Sequence, residues 1–222
     1  MPKHLQRDLE SLSRMIMDLG GRVEQAIDKA VTALIERDSE LAAEVIAGDD
    51  MIDDCELGVE EDCLKILALH QPVAADLRFV VAVLKVNNDL ERMGDLAAGI
   101  ASRAGYLATR EPIESSREIA GMAVQVRRMT GLALDSLVKR DTRLAHEVCL
   151  MDDSVDDIHE NMFILLQKHM EKDSGAVKRA VQTLSVSRNL ERIADLATNV
   201  AQDLIFMVDG EVIRHRIRPI SD

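Results

Sequence analysis

The tract Leu90-Glu91-Arg92-Met93-Gly94-Asp95-Leu96-Ala97 returns as Leu190-Glu191-Arg192-Ile193-Ala194-Asp195-Leu196-Ala197, so Leu, Glu, Arg, Asp, Leu and Ala recur after a shift of 100 residues. In each copy Glu and Asp stand four apart, which on a helix stacks them one turn above the other. Two carboxylates in that arrangement repel unless something cationic sits between them. A second series extends the repeat: Leu34, Arg37, Asp38, Leu41, Ala42, Glu44, Val45, Asp49, Asp50, Asp53 and Asp54 reappear 103 residues later, from Leu137 to Asp157. A period of about 100 residues is too long for a solenoid of small helical repeats. It predicts two similar helical lobes.

The composition agrees with helices. Of the 222 residues 47% are hydrophobic, enough for a core, while aromatics are 2% (Phe79, Phe163, Phe206 and Tyr106) and there is no Trp. Gly and Pro together number 11 + 4 = 15, so strand formers and turns are both scarce. Ala, Leu, Met, Glu and Arg dominate, which is helix composition.

From Leu5, the residues Leu9, Leu12, Ile16, Leu19, Val23, Ile27, Ala30 and Leu34 follow spacings of three and four, one amphipathic helix of about nine turns. Asp38 or Ser39 caps a second running to about Leu69, and Pro72 suits the first turn of a third reaching about Ala108. Pro112 breaks the pattern in a hinge at 109–114. Ser115-Ser116-Arg117-Glu118 contains a capping box for a fourth helix, Asp141-Thr142 opens a fifth, and Asp173-Ser174-Gly175 opens a sixth ending near Asp209-Gly210. The expected fold is all-α: two tandem, pseudo-symmetric three-helix bundles of long antiparallel helices, residues 1–110 and 111–222.

Acids exceed bases by 40 − 27 = 13. That excess argues against nucleic acid, whose phosphates it would repel, and favours a cation or a basic partner surface. The tail Arg214-His215-Arg216-Ile217-Arg218 is a local basic exception, read as a solvated end or a contact for an acidic partner or lipid headgroups. Cys55, Cys63 and Cys149 make no CxxC pair, so neither a disulfide framework nor a thiolate zinc site is expected and a reducing cytoplasm fits. The N-terminus lacks the apolar core of a signal peptide, and no apolar run approaches the ~20 residues of a membrane span. Any membrane contact would be peripheral.

Projected at 100° per residue with Leu90 at zero, Gly94 falls at about 40°, Ala98 about 80°, Glu91 about 100° and Asp95 about 140°. The acids border the apolar face, with small residues beside them, Gly94 and Ala98 in one copy and Ala194 and Thr198 in the other. The second helix of each lobe supplies a partner strip: Asp49, Asp53, Glu56 and Glu60 in the first, Asp152, Asp156 and His159 in the second. Like charges at i, i+4 oppose helix formation by a few tenths of a kcal/mol per pair, a cost that a bound cation would reverse. All-oxygen donors suit Mg, Mn, Ca or iron, with zinc still open. The bland alternative is the wet side of an acidic helix. His159 could add an imidazole, but the paired Glu-x-x-His motifs of a di-iron bundle are missing. No GxSxG, Walker A loop, HExxH or dinucleotide fingerprint occurs. Met15, Met17, Met93, Met122, Met129, Met162 and Met170 read as core filler.

Gln71-Pro72-Val73-Ala74-Ala75-Asp76-Leu77-Arg78, followed by Asp89-Leu90-Glu91-Arg92-Met93-Gly94-Asp95, closely resembles the PhoU family of phosphate-transport accessory proteins, and the likeness covers nearly the whole chain. The resemblance implies paired three-helix bundles carrying multinuclear metal clusters, of iron, zinc, manganese or magnesium. The family's acidic motifs fall on Asp49 with Asp53, Glu91 with Asp95, Asp152 with Asp156, and Glu191 with Asp195. The Asn often found four after the last Asp is present as Asn199 but replaced by Gly99 in the first lobe, which puts equal metal loading in question. The resemblance further implies a cytoplasmic, homodimeric, non-enzymatic adaptor. It would restrain phosphate uptake and the phosphate-starvation response by linking the ATPase subunit of the phosphate ABC transporter to a sensor histidine kinase. Two rival readings are a multinuclear carboxylate metalloenzyme, which requires an enclosed cavity with a general base, and a metal-free helical scaffold.

Overall fold

The computed structural model describes residues 3–113 and 116–210. Helix α1 spans Lys3–Glu36, α2 Ser39–Ala47, α3 Asp49–His70, α4 Ala74–Ala108, α5 Ser116–Lys139, α6 Thr142–Lys172 and α7 Val177–Asp209, with a 3-10 turn at Ser174–Ala176 before α7. No strand occurs among the described residues. The basic tail from Arg214 to Arg218 and Ser115 of the expected capping box lie outside them.

The three-and-four spacing of α1 works as expected: Leu5, Leu9, Leu12, Ile16, Leu19, Val23, Ile27 and Ala30 are all buried. Two sharp turns repeat between the lobes. Arg37 and Arg140 adopt left-handed backbone, with φ of 60° and 50°. Asp38 then caps α2 by accepting from the amides of Glu40 and Leu41, and Asp141 caps α6 by accepting from Arg143. A left-handed non-glycine residue costs on the order of 1 kcal/mol. At Arg37 that cost is offset because Nη2 donates to the last carbonyls of α4, Leu107 at 2.8 Å and Ala108 at 3.1 Å.

Two boundaries differ from expectation. The second helix is not continuous: Gly48, with φ −86° and ψ −8°, separates α2 from α3, and its amide donates back to Glu44 and Val45. Its counterpart is Met151, where α6 runs unbroken. Glycine's weak helix propensity permits the interruption in one lobe, and a good helix former suppresses it in the other. Pro72 stands outside α4, in the turn Gln71-Pro72-Val73, because Val73 is the extended N-cap residue.

In the first lobe α4 packs on α1, α2 and α3; in the second α7 packs on α5 and α6; α4 against α7 and α1 against α5 join the lobes. The buried side chains form one continuous core that runs through this seam. Helices α4 and α7 are antiparallel there: Lys85 Nζ meets Asp203 Oδ1 at 2.9 Å, while Asn189 Nδ2 donates to the Leu96 carbonyl at 3.4 Å. A Cβ on Gly99 would fall 2.7 Å from Asn189 Nδ2. The glycine therefore belongs to the seam between lobes, which explains why the first lobe lacks an asparagine at this position.

Candidate metal centres

Packing of α3 on α4 brings Asp53, Glu91 and Asp95 together, each offering a carboxylate oxygen within 4.8 Å of the other two. Packing of α6 on α7 does the same for Asp156, Glu191 and Asp195. In the first lobe the approach depends on Gly94, whose missing Cβ would lie 3.1 Å from Ile52 Cδ1 and Cγ2. The two remaining acids, Asp49 and Asp152, stand one turn before Asp53 and Asp156 and flank the clusters without converging to the same distance.

The electrostatics are strained in the same sense in both lobes. Burial, then the charges of Asp95 and Asp53, raise the Asp49 carboxyl, and burial, then Asp95 and Asp53, raise that of Glu91. Glu191 is raised by burial, then Asp195 and Asp156, and Asp195 by burial, then Asp156. Asp152 is pushed furthest, to about 6, by burial, then Asp195 and Asp156. Two carboxylates about 5 Å apart repel by roughly 1 kcal/mol in bulk water and about 3 kcal/mol at protein-surface dielectric. Among the described residues no salt bridge neutralises any of the eight acids. Arg92 turns instead towards Asp89, at 4.0 Å.

These donors fit a hard cation. They are carboxylates from two helices per lobe, unpaired and mutually repelling, and in the second lobe Asp152 Oδ1 is buried with no hydrogen-bond partner. Asp53, Asp95, Asp156 and Asp195 are exposed, so both clusters open to solvent and lack the enclosed cavity required by the metalloenzyme reading.

Polar residues that the acidic spacing did not reveal line the same helix pairs. Glu56 Oε1 accepts from Nδ2 of Asn87, which is 1% exposed, at 2.9 Å. At the equivalent place in the second lobe His159 Nδ1 lies 2.8 Å from Ser187 Oγ. His159 therefore sits beside the acids, held by a serine, and does not join the convergent set. A buried Asn or Ser on the face opposite an acidic strip was the available signal. Two of the cysteines are inert: burial pushes Cys63 up to about 12 and Cys149 to about 11. Met93, Met122, Met129 and Met162 are buried in the core, whereas Met17 is exposed.

A family model for the PhoU domain matches this chain twice, over residues 16–104 and 119–204. The chain belongs to the PhoU family. It is 39% identical over 210 residues to a phosphate-specific transport system accessory protein PhoU homolog of Aquifex aeolicus, covering 95% of each chain. To the PhoU homolog of Pseudomonas aeruginosa it is 38% identical, over 94% of this chain and 86% of that one. Solved structures agree: the crystal structure of PhoU from Pseudomonas aeruginosa superposes with a TM-score of 0.91 at 36% identity, over 93% of this chain and 99% of that one. That of the phosphate transport system regulatory protein PhoU from Streptococcus pneumoniae gives 0.84 at 28% identity, over 94% and 98%. The protein is thus a PhoU-family accessory protein of a phosphate transport system and not an enzyme. No helix among the described residues is long and apolar enough to cross a membrane.

Proposed function

We propose that the protein is a metal-binding, cytoplasmic adaptor that restrains phosphate uptake and the phosphate-starvation response. It links the ATPase subunit of the phosphate ABC transporter to a sensor histidine kinase, acts as a homodimer, and divides into units at residues 1–110 and 111–222. The observation that carries the metal-binding part is the meeting of three carboxylates from two helices at equivalent places in both lobes. The eight ligands are Asp49, Asp53, Glu91 and Asp95 in one lobe and Asp152, Asp156, Glu191 and Asp195 in the other. An ion there supplies positive charge to an otherwise repelling surface, and the protein's own residues orient it and leave it accessible. The regulatory part is supported by relatives named as accessory and regulatory proteins of phosphate transport. Coupling of this kind needs only a surface that binds one partner state better than another.

The test is metal analysis of protein purified without chelators or an affinity tag, beside Glu91→Ala with Asp95→Ala and Glu191→Ala with Asp195→Ala. Metal retained by the parent and lost lobe by lobe supports the reading. A parent that holds none, and takes up no Fe, Mn, Mg or Zn on titration, refutes the metal-binding part. Binding of the purified ATPase subunit and of the kinase to the same protein tests the adaptor part separately.

A further inference from the structure

The connection that joins α3 to α4 carries apolar side chains that the fold leaves uncovered. Leu69 in the last turn of α3, Val73 at the N-cap of α4 and Leu77 one turn further are 76%, 74% and 40% exposed. The matching N-cap residue before α7, Ala176, is fully buried, so the patch belongs to this end of the first lobe alone. Apolar surface left in water forgoes the free energy that its burial brings, and a cluster of it at one place calls for a cover.

Helix α7 ends at the same place. Its cap residue Gly210, in left-handed backbone with φ 76°, would set a Cβ 3.7 Å from both Cζ and Nε of Arg78, the chain neighbour of Leu77. Arg78 makes no ion pair, and its Nε is buried without a partner. Asp76 on α4 and Asp209 on α7, which flank this contact, also make no ion pair.

Beyond Gly210 the chain continues as Glu211-Val212-Ile213-Arg214-His215-Arg216-Ile217-Arg218-Pro219-Ile220-Ser221-Asp222, outside the described residues. This segment leaves Gly210 at the edge of the patch, and at about 3.3–3.6 Å per residue Ile217 can reach up to ~25 Å from there. That range takes in Leu77, Val73 and Leu69. Its composition matches what it would meet: Val212, Ile213 and Ile217 for the apolar side chains, Glu211 for Arg78, and Arg214, Arg216 and Arg218 for Asp76 and Asp209.

We propose that residues 211–222 fold back on their own chain and cover the patch formed by Leu69, Val73 and Leu77. The segment is a built-in cover, and the apolar end surface opens to another molecule only when the segment is displaced. This reading is independent of the metal centres.

The chain contains no Trp, so Ile217→Trp installs a single reporter. Its emission should lie to the blue of that of a synthetic peptide of residues 211–222 carrying the same substitution. Acrylamide should quench it several-fold less, and both readings should be independent of protein concentration. Leu69→Ser with Val73→Ser should return emission and quenching to the peptide's values. Both positions are exposed and serine is favoured at an N-cap, so the fold is kept, as circular dichroism checks. A reporter as quenchable as in the peptide, or one whose protection survives the serine pair, overturns the proposal. Protection that rises with protein concentration overturns it in favour of a second copy. Protection that appears only with phosphatidylglycerol vesicles overturns it in favour of lipid.

Discussion

Asp152→Asn should stabilise the ion-free protein at neutral pH, although it replaces a buried carboxylate by an amide in the middle of a helix. Burial, then the charges of Asp195 and Asp156, push the Asp152 carboxyl from 3.8 up to about 6. A gap of about 2 pH units is worth ~3 kcal/mol. The side chain is only half-buried and solvent screens roughly half of that, leaving about 1.5 kcal/mol. The folded state holds this proton more tightly than the unfolded chain, so the stability it contributes is fully present below about pH 4. That stability is lost as pH rises through about 6. The amide carries no charge, and its Oδ1 can still accept from the Thr198 hydroxyl. In chelator at pH 7.5 we expect a gain of about 1.5 kcal/mol, roughly 3–6 °C in melting temperature for a chain of this size. At pH 4.5 the gain should shrink to roughly half, by the same linkage. The assay is thermal and urea unfolding of parent and variant at both pH values, repeated with excess Mn²⁺, where the parent should recover its disadvantage. A variant less stable than the parent in chelator at pH 7.5, or equally stabilised at both pH values, refutes the reasoning.

Glu91→Ala with Asp95→Ala should lose the first lobe's ion while leaving melting in chelator unchanged or raised, since it removes repulsion at the edge of the core; unfolding without metal would show the strip to be structural. Gly99→Ala should change stability by less than about 1 kcal/mol in urea unfolding, because the new Cβ, 2.7 Å from Asn189 Nδ2, displaces only the end of that side chain while alanine favours the helix, and adding Asn189→Ala should leave the chain more stable than Gly99→Ala alone. Lys85→Met removes the ammonium 2.9 Å from Asp203, which is 2% exposed, and should cost about 2 kcal/mol by the same assay; adding Asp203→Asn should restore part of it.

Much of the candidate site was legible because helical periodicity is local. The i, i+4 spacing of Glu91 with Asp95 and of Asp49 with Asp53 says which acids share a helix face, and the repeat says that the arrangement occurs twice. The spacing could not say that Asp53 and not Asp49 would converge with Glu91 and Asp95, since that depends on how far α3 slides along α4. The slide is decided by the ridge of Ile52 against the missing Cβ of Gly94. Gly99 posed a similar problem. Read along the chain it is a lost ligand, and only the crossing of α4 over α7 shows it making room for Asn189.

The sequence by itself determined the helices, the turns at Arg37-Asp38 and Arg140-Asp141, the two-lobe repeat and the acidic faces, because each is written in contacts between residues a few positions apart. Tertiary structure decided the convergence of three carboxylates per lobe, the pairing of His159 with Ser187 and the contact of Asp152 with Thr198. Burial, desolvation and the distances between charges on different helices depend on residues dozens of positions apart, and close packing of the whole core sets them.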